Sequence, residues 1–484
     1  MNKNNVFSNL IWRFLERCGA QGVTFIVSIV LARLLEPSVY GKIALVTVFT
    51  IIMQVFVDSG MGNALIQKKD ADDLDFSSVF WFNMIMCFLL YIVMFISAPI
   101  IASFYNMRDL VPVIRVLSII LIISGIKNVQ QAYVSRNMMF KRFFFSTLGG
   151  TIGAAVVGIV MAYLGYGVWA LVAQMLFNAF VDTSILWITV KWRPKKLFSI
   201  SRLKGLFSFG WKLLVSALID TVYNQMRQLI IGRIYSSSDL AQYNQGKKFP
   251  ELIVTNINTS IDSVLLPTMS KVQDSADIVR NMTRRAIKTS TYLMMPFMVG
   301  LAVCAEPLVR LILTEKWLPC VFFLRVFCFS YAFFPIHTAN LNAIKALGRS
   351  DLFLKLEILK KLVGLIAIVS TMFISVKAMA CSVFFTSILS QIINSMPNKR
   401  LMNYSYIDQL KDMFPQICLS IGMGIIVYCI KFTGLNDIVL LFVQIPVGVT
   451  LYIAGSRLFH IDSFEYLLST IKGVLNNKKM REDK

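Results

Sequence analysis

The stretch SSVFWFNMIMCFLLYIVMFISAPIIAS, residues 77–103, decides the class of the fold. About 20 residues at a 1.5 Å rise cross the roughly 30 Å hydrocarbon layer of a bilayer, and this mostly apolar run exceeds that length. Backbone groups in lipid must be paired within their own segment or around a closed barrel. Barrel strands show weaker, alternating patterns, so a continuous apolar run of this length reads as a transmembrane helix.

Comparable stretches extend in both directions. The spans read as 11–33, 41–63, 77–103, 111–134, 143–163, 167–189, 206–231, 250–270, 288–311, 319–343, 354–375, 377–397, 413–431 and 436–456, fourteen in all. The first, seventh and eleventh carry enough charge to weaken their hydropathy signal. The composition agrees: 56% of the residues are hydrophobic and 15% charged, with a mean hydropathy of +0.67, far from a soluble domain of this length. The expected fold is an all-α polytopic membrane protein.

The formal net charge of +22 is distributed by side. Alternate connections hold most of the Lys and Arg, including six between Lys191 and Lys204, five between Lys271 and Lys288, and six from Arg457 to Lys484. The intervening connections are poor in them. This asymmetry places both termini in the cytoplasm and requires an even number of spans. The basic loops are topology determinants that can also meet anionic lipid, which argues against nucleic acid as a partner. Met1 to Asn9 leads straight into the first span without a cleavage site, so that span is expected to act as its own insertion signal.

The longest connections, 190–205, 232–249, 271–287 and the tail after His460, are too short for a folded domain, and no GxxxxGK[ST] loop is present. No nucleotide or other cofactor is expected, and energy would come from the substrate gradient, the membrane potential or a coupling cation, Na⁺ or H⁺. The eight cysteines lie mainly within apolar runs without CxxC spacing, which reads as packing and not as a metal site. No nucleophile, base and orienter occur together, so no catalytic residue is assigned. The tail from Arg457 to Leu475 reads as an interfacial amphipathic helix.

A weak repeat is offset by about 200 residues: IVLARLLEPSVYGKIALVTVF, 29–49, against LIIGRIYSSSDLAQYNQGKKF, 229–249. Six spans per copy give parallel lobes. The expected division is an N-terminal lobe over 1–200, a C-terminal lobe over 201–400, two extra helices over 401–456 and a cytoplasmic tail over 457–484.

Charge inside a span is costly and normally faces a cavity or a partner. In the seventh span Ser216, Asp220, Tyr223, Asn224 and Arg227 fall on one helical face, and in the first so do Arg13, Arg17, Gln21, Thr24 and Ser28. Spans two and eight carry matching stripes, Thr47, Thr50, Gln54 and Asp58 against Thr255, Thr259 and Asp262. Arg325 in span ten and Glu357 in span eleven add further charge. The candidate substrate-binding set is Arg13, Arg17, Gln21, Asn224, Arg227 and Arg325, since Arg suits two phosphate oxygens at once. Asp58, Asp220, Asp262 and Glu357 form the candidate ion-coupling set, or else offset excess positive charge. For Arg13 and Arg17, anchoring to lipid headgroups is the competing reading, and for Glu357 it is a local salt bridge with Lys361.

The segment LARLLEPSVYGKIALVTVFTIIMQVFVDSGMGNALIQKKD, residues 31–70, resembles the N-terminal signature of bacterial polysaccharide and O-antigen flippases. The features that carry the likeness are LARLLEP, then YG after two residues, then DSGMGNALIQ; the type resembled is the colanic-acid exporter, within the multidrug, oligosaccharidyl-lipid and polysaccharide exporter superfamily. The resemblance implies a transporter of the bacterial inner membrane, and because one polypeptide supplies both lobes it is expected to function as a monomer. It would move an undecaprenyl-diphosphate-linked oligosaccharide to the periplasmic leaflet by alternating access of its two lobes. Arg13, Arg17 and Arg227 would then correspond to the cations of a basic central cavity. Two rivals are a multidrug or organic-ion exporter of the same superfamily, which predicts a more acidic and aromatic cavity, and a membrane glycan polymerase or ligase, which predicts a large periplasmic loop absent here.

Overall fold

The computed structural model describes the backbone of residues 3–58, 61–68, 70–470 and 472, and within these the side chains except at 3–11, 13–18, 63, 67, 206, 208 and 209. The chain is all helical among the described residues, in two compact units, Met1–Ala241 and Gln242–Lys484. In chain order the first unit contains α1 (Lys3–Leu34), α2 (Pro37–Asp58), α3 (Met61–Gln67), α4 (Asp73–Phe104), α5 (Leu110–Leu117), α6 (Ile119–Arg136), α7 (Phe140–Tyr163), α8 (Val168–Thr189) and α9 (Ile200–Ile234). Helix α10 (Ser237–Ser270) begins in the first unit and continues into the second. The second unit then holds α11 (Ala276–Val303), α12 (Ala305–Leu313), α13 (Cys320–Ala332), α14 (Phe334–Ala346), α15 (Ser350–Thr371), α16 (Val376–Met402), α17 (Tyr406–Cys429) and α18 (Asp437–Leu458).

Ten helical segments among the described residues are long and apolar enough to cross a membrane, counting α5 with α6 and α13 with α14 as one segment each. The protein is therefore a multi-pass α-helical membrane protein. Helices α9, α10 and α15 are of spanning length but too polar to meet that criterion, and α1 contributes a shorter apolar piece, Gly19–Leu34.

Helix starts are written in the sequence as capping residues. Asp72 accepts from the amide of Asp75 while Asp75 accepts from that of Asp72, a capping box that opens α4. The Asp75 amide, together with nearby Arg202 and Lys68, holds the Asp72 carboxyl below the usual carboxylate range. Ser405 and Asp408 cap α17 in the same way. The connection between α8 and α9 is tied down along the start of α4: the hydroxyls of Ser77 and Ser78 accept from the amides of Lys195 and Ser199.

Expected spans four, nine and ten are each broken once. Span four divides at Ser118, whose hydroxyl donates to the Ile114 carbonyl at 2.6 Å, a back-bond of the kind that bends helices. Span ten divides at Phe333, just ahead of Pro335, which has no amide to continue the ladder. Span nine breaks at Cys304, between α11 and α12, while Pro296 lies within a continuous α11. That helix also starts twelve residues before the expected span. Its first turns, DIVRNMTRRAIK, are too basic for hydropathy to register, although they are helical.

In the first unit α7 packs against α8 and α1. The glycines of α7 permit the close approach to α8, since a Cβ on Gly150 would lie 2.9 Å from Asn178 and one on Gly153 2.9 Å from Phe177. In the second unit α11 packs against α17, α13 and α14, and α16 against α15, α13 and α14. The tail forms a helix over 462–470, within the stretch expected to be amphipathic. One helix–turn–helix boundary recurs at an offset of 200, with α1 ending at Leu34 and α2 starting at Pro37, and α9 ending at Ile234 and α10 starting at Ser237.

Candidate functional site

Among the threonines of the polar stripes, several are satisfied by their own helices. Thr47 and Thr50 donate to the carbonyls of Ile43 and Val46, and Thr259 to that of Thr255. The carboxylates remain as the distinctive groups on these stripes. Asp58, at the end of α2, accepts from Gln54 Nε2 at 3.0 Å and from Asn128 Nδ2 at 3.3 Å. Asn128 on α6 in turn accepts from Asn83 on α4 at 3.3 Å, and both amides are buried. Beside this network Lys127 pairs with Asp182 of α8 at 2.9 Å.

The second unit repeats the arrangement. Asp262 on α10 accepts from Asn342 Nδ2 on α14 at 2.9 Å. Asn342 is buried while Asp262 is exposed, as Asn128 is buried while Asp58 is exposed. Each unit thus presents an accessible carboxylate whose orientation is fixed by a buried asparagine. Such a group can receive a cation or a hydroxyl without first reorganising. The asparagines on spans four and ten were not among the residues singled out from sequence, because a lone amide in an apolar run has no recognisable spacing to its partner.

Of the other candidates, Asp220 and Asn224 are exposed and Arg227 half-buried on α9, so this stripe is not sealed in a packed seam. Gln21 on α1 is also exposed. Arg13 and Arg17 belong to α1, and their side chains lie outside the described residues. Arg325 donates to the Ala302 carbonyl at 3.2 Å, near the end of α11. Glu357 accepts from Lys360 at 2.6 Å, the local ion pairing that its position on the helix favours.

A second polar feature, a network of buried amides around His337, was not singled out from sequence. His337 and Asn340 of α14 meet Asn394 and Asn398 of α16 and Gln409 of α17 in a buried amide network. Asn340 and Gln409 exchange two hydrogen bonds, at 2.9 and 3.0 Å, and Asn398 donates to Asn340 at 2.7 Å. The sequence signal is the spacing of Gln391, Asn394, Ser395 and Asn398 on one face of α16.

Comparison with known proteins adds a family and a fold. The family model described as "Polysaccharide biosynthesis protein" matches residues 30–322. The chain is 24% identical to the succinoglycan biosynthesis transport protein ExoT of Rhizobium meliloti (strain 1021), covering 66% of this chain and 64% of that one. It is 22% identical to the lipopolysaccharide biosynthesis protein WzxC of Escherichia coli (strain K12), covering 88% of each. The chain thus spans less than two thirds of the length of the first relative and most of the second. Among solved structures, the lipid II flippase MurJ in an inward closed conformation matches with a TM-score of 0.72 at 16% identity, over 95% of this chain and 99% of that one. That likeness establishes a shared fold.

Proposed function

Since the chain belongs to the polysaccharide biosynthesis protein family, we propose that it is a flippase for a lipid-linked oligosaccharide, carrying polyprenyl-diphosphate-linked repeat units across the inner membrane by alternating access. It acts as a transporter and not as an enzyme. The finer architecture belongs to this proposal: fourteen spans with both termini cytoplasmic, six-helix lobes over 1–200 and 201–400, helices over 401–456 and a tail over 457–484. One polypeptide supplies both lobes and functions as a monomer.

The observation that carries the reading is the accessible stripe on α9, where Asp220 and Asn224 are exposed and Arg227 half-buried on a helix of spanning length. A charged face of this kind is retained in a membrane where water or a polar ligand meets it. Shared fold with a protein titled a lipid II flippase, and similarity to one named for transport in succinoglycan biosynthesis, support a cargo with a diphosphate and sugars. In this proposal Arg13, Arg17, Gln21, Asn224, Arg227 and Arg325 serve the substrate, and Asp58, Asp220, Asp262 and Glu357 serve a coupling cation or balance charge.

The test is translocation of a fluorescent lipid-linked oligosaccharide in reconstituted vesicles. Arg227→Ala is expected to slow it about tenfold, the worth of one charge-assisted hydrogen bond to phosphate, while insertion is unchanged. A wild-type rate in that variant removes Arg227 from the site. Asp220→Asn is expected to flatten the dependence of the rate on Na⁺ or pH. An unaltered rate and ion dependence would exclude that carboxylate from coupling.

A further inference from the structure

A concentration of cations bordering a cavity, away from the stripes, lies at the start of α11. A cavity of about 470 Å³ is lined there by Asn281, Arg284, Arg285 and Lys288 of α11 and by Asp462 and Tyr466 of the helix 462–470. The three cations are held in different ways. Arg284 donates through Nε and Nη2 to Asp412, both at 2.7 Å, and Asp412 is further fixed by the Tyr404 hydroxyl at 2.9 Å. Its guanidinium is therefore set in place, with no hydrogen-bond partner for Nη1 among the described residues. Lys288 pairs with Asp462. Arg285 lies over the Tyr466 ring at 4.8 Å, and its guanidinium makes no hydrogen bond among the described residues.

The wall opposite α11 is built in. Phe464 and Leu467 pack onto the core formed by Tyr292, Tyr452 and Ile461, which leaves Asp462, Ser463 and Tyr466 to border the cavity. Arg284 and Lys288 are paired with Asp412 and Asp462, and Asp408 acts on Arg284 from farther away, whereas no carboxylate pairs with Arg285 among the described residues; its charge is the one a single phosphodiester would balance. The depth is also defined by the chain. Residues 276–288 are basic and polar, and the apolar run TYLMMPFMVGLAV begins at Thr291, so the cavity sits where α11 passes from water to hydrocarbon. Lys and Arg at that boundary meet lipid phosphates.

We infer that this cavity binds a phosphate group, that of an anionic membrane lipid headgroup, between Arg284, Arg285 and Lys288. The inference is independent of the transported cargo. The Arg285 guanidinium supplies unused donors, Arg284 a fixed one, and Tyr466 keeps Arg285 turned toward the cavity.

The full-length protein, purified in detergent, would be titrated with phosphatidylglycerol and, in parallel, with phosphatidylcholine, and retained lipid counted by native mass spectrometry. Saturable retention of phosphatidylglycerol over phosphatidylcholine is expected. Arg285→Gln should weaken it about tenfold, the loss of one charge-assisted hydrogen bond, and Arg285→Lys should weaken it less. Asp462→Asn, which removes a competing carboxylate and frees Lys288, should strengthen it, a gain that a merely unfolded variant cannot show. Inorganic phosphate is the second arm. If millimolar phosphate displaces the lipid and binds in its place with the same dependence on Arg285, the phosphate chemistry stands and the headgroup is overturned as its source. Retention indifferent to Arg285 and Asp462, or equal for the two lipids, overturns the proposal.

Discussion

Replacing Asn340 by leucine is expected to destabilise the second unit by about 3 kcal/mol or more, on the scale of 1–3 kcal/mol for each buried polar group left without a partner. The side chain is fully buried and is the hub of the amide network: it gives one hydrogen bond to Gln409, takes one back, and takes another from Asn398. Leucine fills a similar volume but satisfies none of these groups. Both polar atoms of Gln409 lose their Asn340 partner, as does the Asn398 amide, and all three side chains are fully buried, away from replacement by bulk water. Unfolding of the detergent-solubilised protein should occur at a clearly lower temperature or denaturant concentration. The double variant Asn340→Leu with Gln409→Leu should recover part of the loss, because removing both partners of a buried pair costs far less than removing one. A single variant as stable as the wild type, or a double variant worse than the sum of its parts, would contradict this account of the seam.

That network also marks the limit of what the sequence discloses. Apolar length alone locates the helices, and residues 77–103 lie within α4 with errors of a few residues at each end. The repeat turns at Arg33 and Arg233 were legible because both copies keep the same order of helix end, polar turn and helix start. Partners across helices were not. Asn340 and Gln409 are 69 positions apart, and Asp58 and Asn128 are 70 apart, and nothing in the local pattern of either member points to the other. The threonines of the stripes look like cavity-lining groups in sequence, yet Thr47, Thr50 and Thr259 are spent on carbonyls one turn back. Breaks in spans were half legible: Pro335 announces one by its missing amide, while Ser118 is an ordinary residue whose effect depends on where its hydroxyl turns. The carboxylates Asp58 and Asp262 were legible as a matched pair because the cost of a charge in lipid makes each conspicuous.

Gly41→Ala is the other substitution with a large expected effect, and its cause is backbone contact in place of hydrogen bonding. Helix α2 crosses α9 and the start of α10 within the first unit, with Gly232 facing Leu45 and Gly41 set against Ser237. A methyl built on Gly41 falls inside the van der Waals shell of the Ser237 carbonyl, carbon and Cα. Where the obstacle is the far end of a side chain, as for Gly232 against Leu45, a rotamer change can relieve it. Here the obstacle is main chain at the opening of a helix, so α2 or α10 must move as a body. The expected cost is about 3 kcal/mol, the upper part of the range for overpacking. Gly246 offers an independent instance in the second unit: its Cβ would lie 2.6 Å from Phe323 Cβ, 2.7 Å from the Cys320 carbonyl and 2.8 Å from the Leu324 nitrogen. Gly300→Ala supplies the contrast, since nothing lies within 4 Å of its Cβ, and the better helix propensity of alanine should raise stability by up to about 1 kcal/mol. Thermal unfolding of the three variants side by side decides the matter. Gly41→Ala and Gly246→Ala should fall well below the wild type and Gly300→Ala at or above it, whereas equal shifts in all three would mean that helix propensity, and not the close approach of backbones, governs these positions.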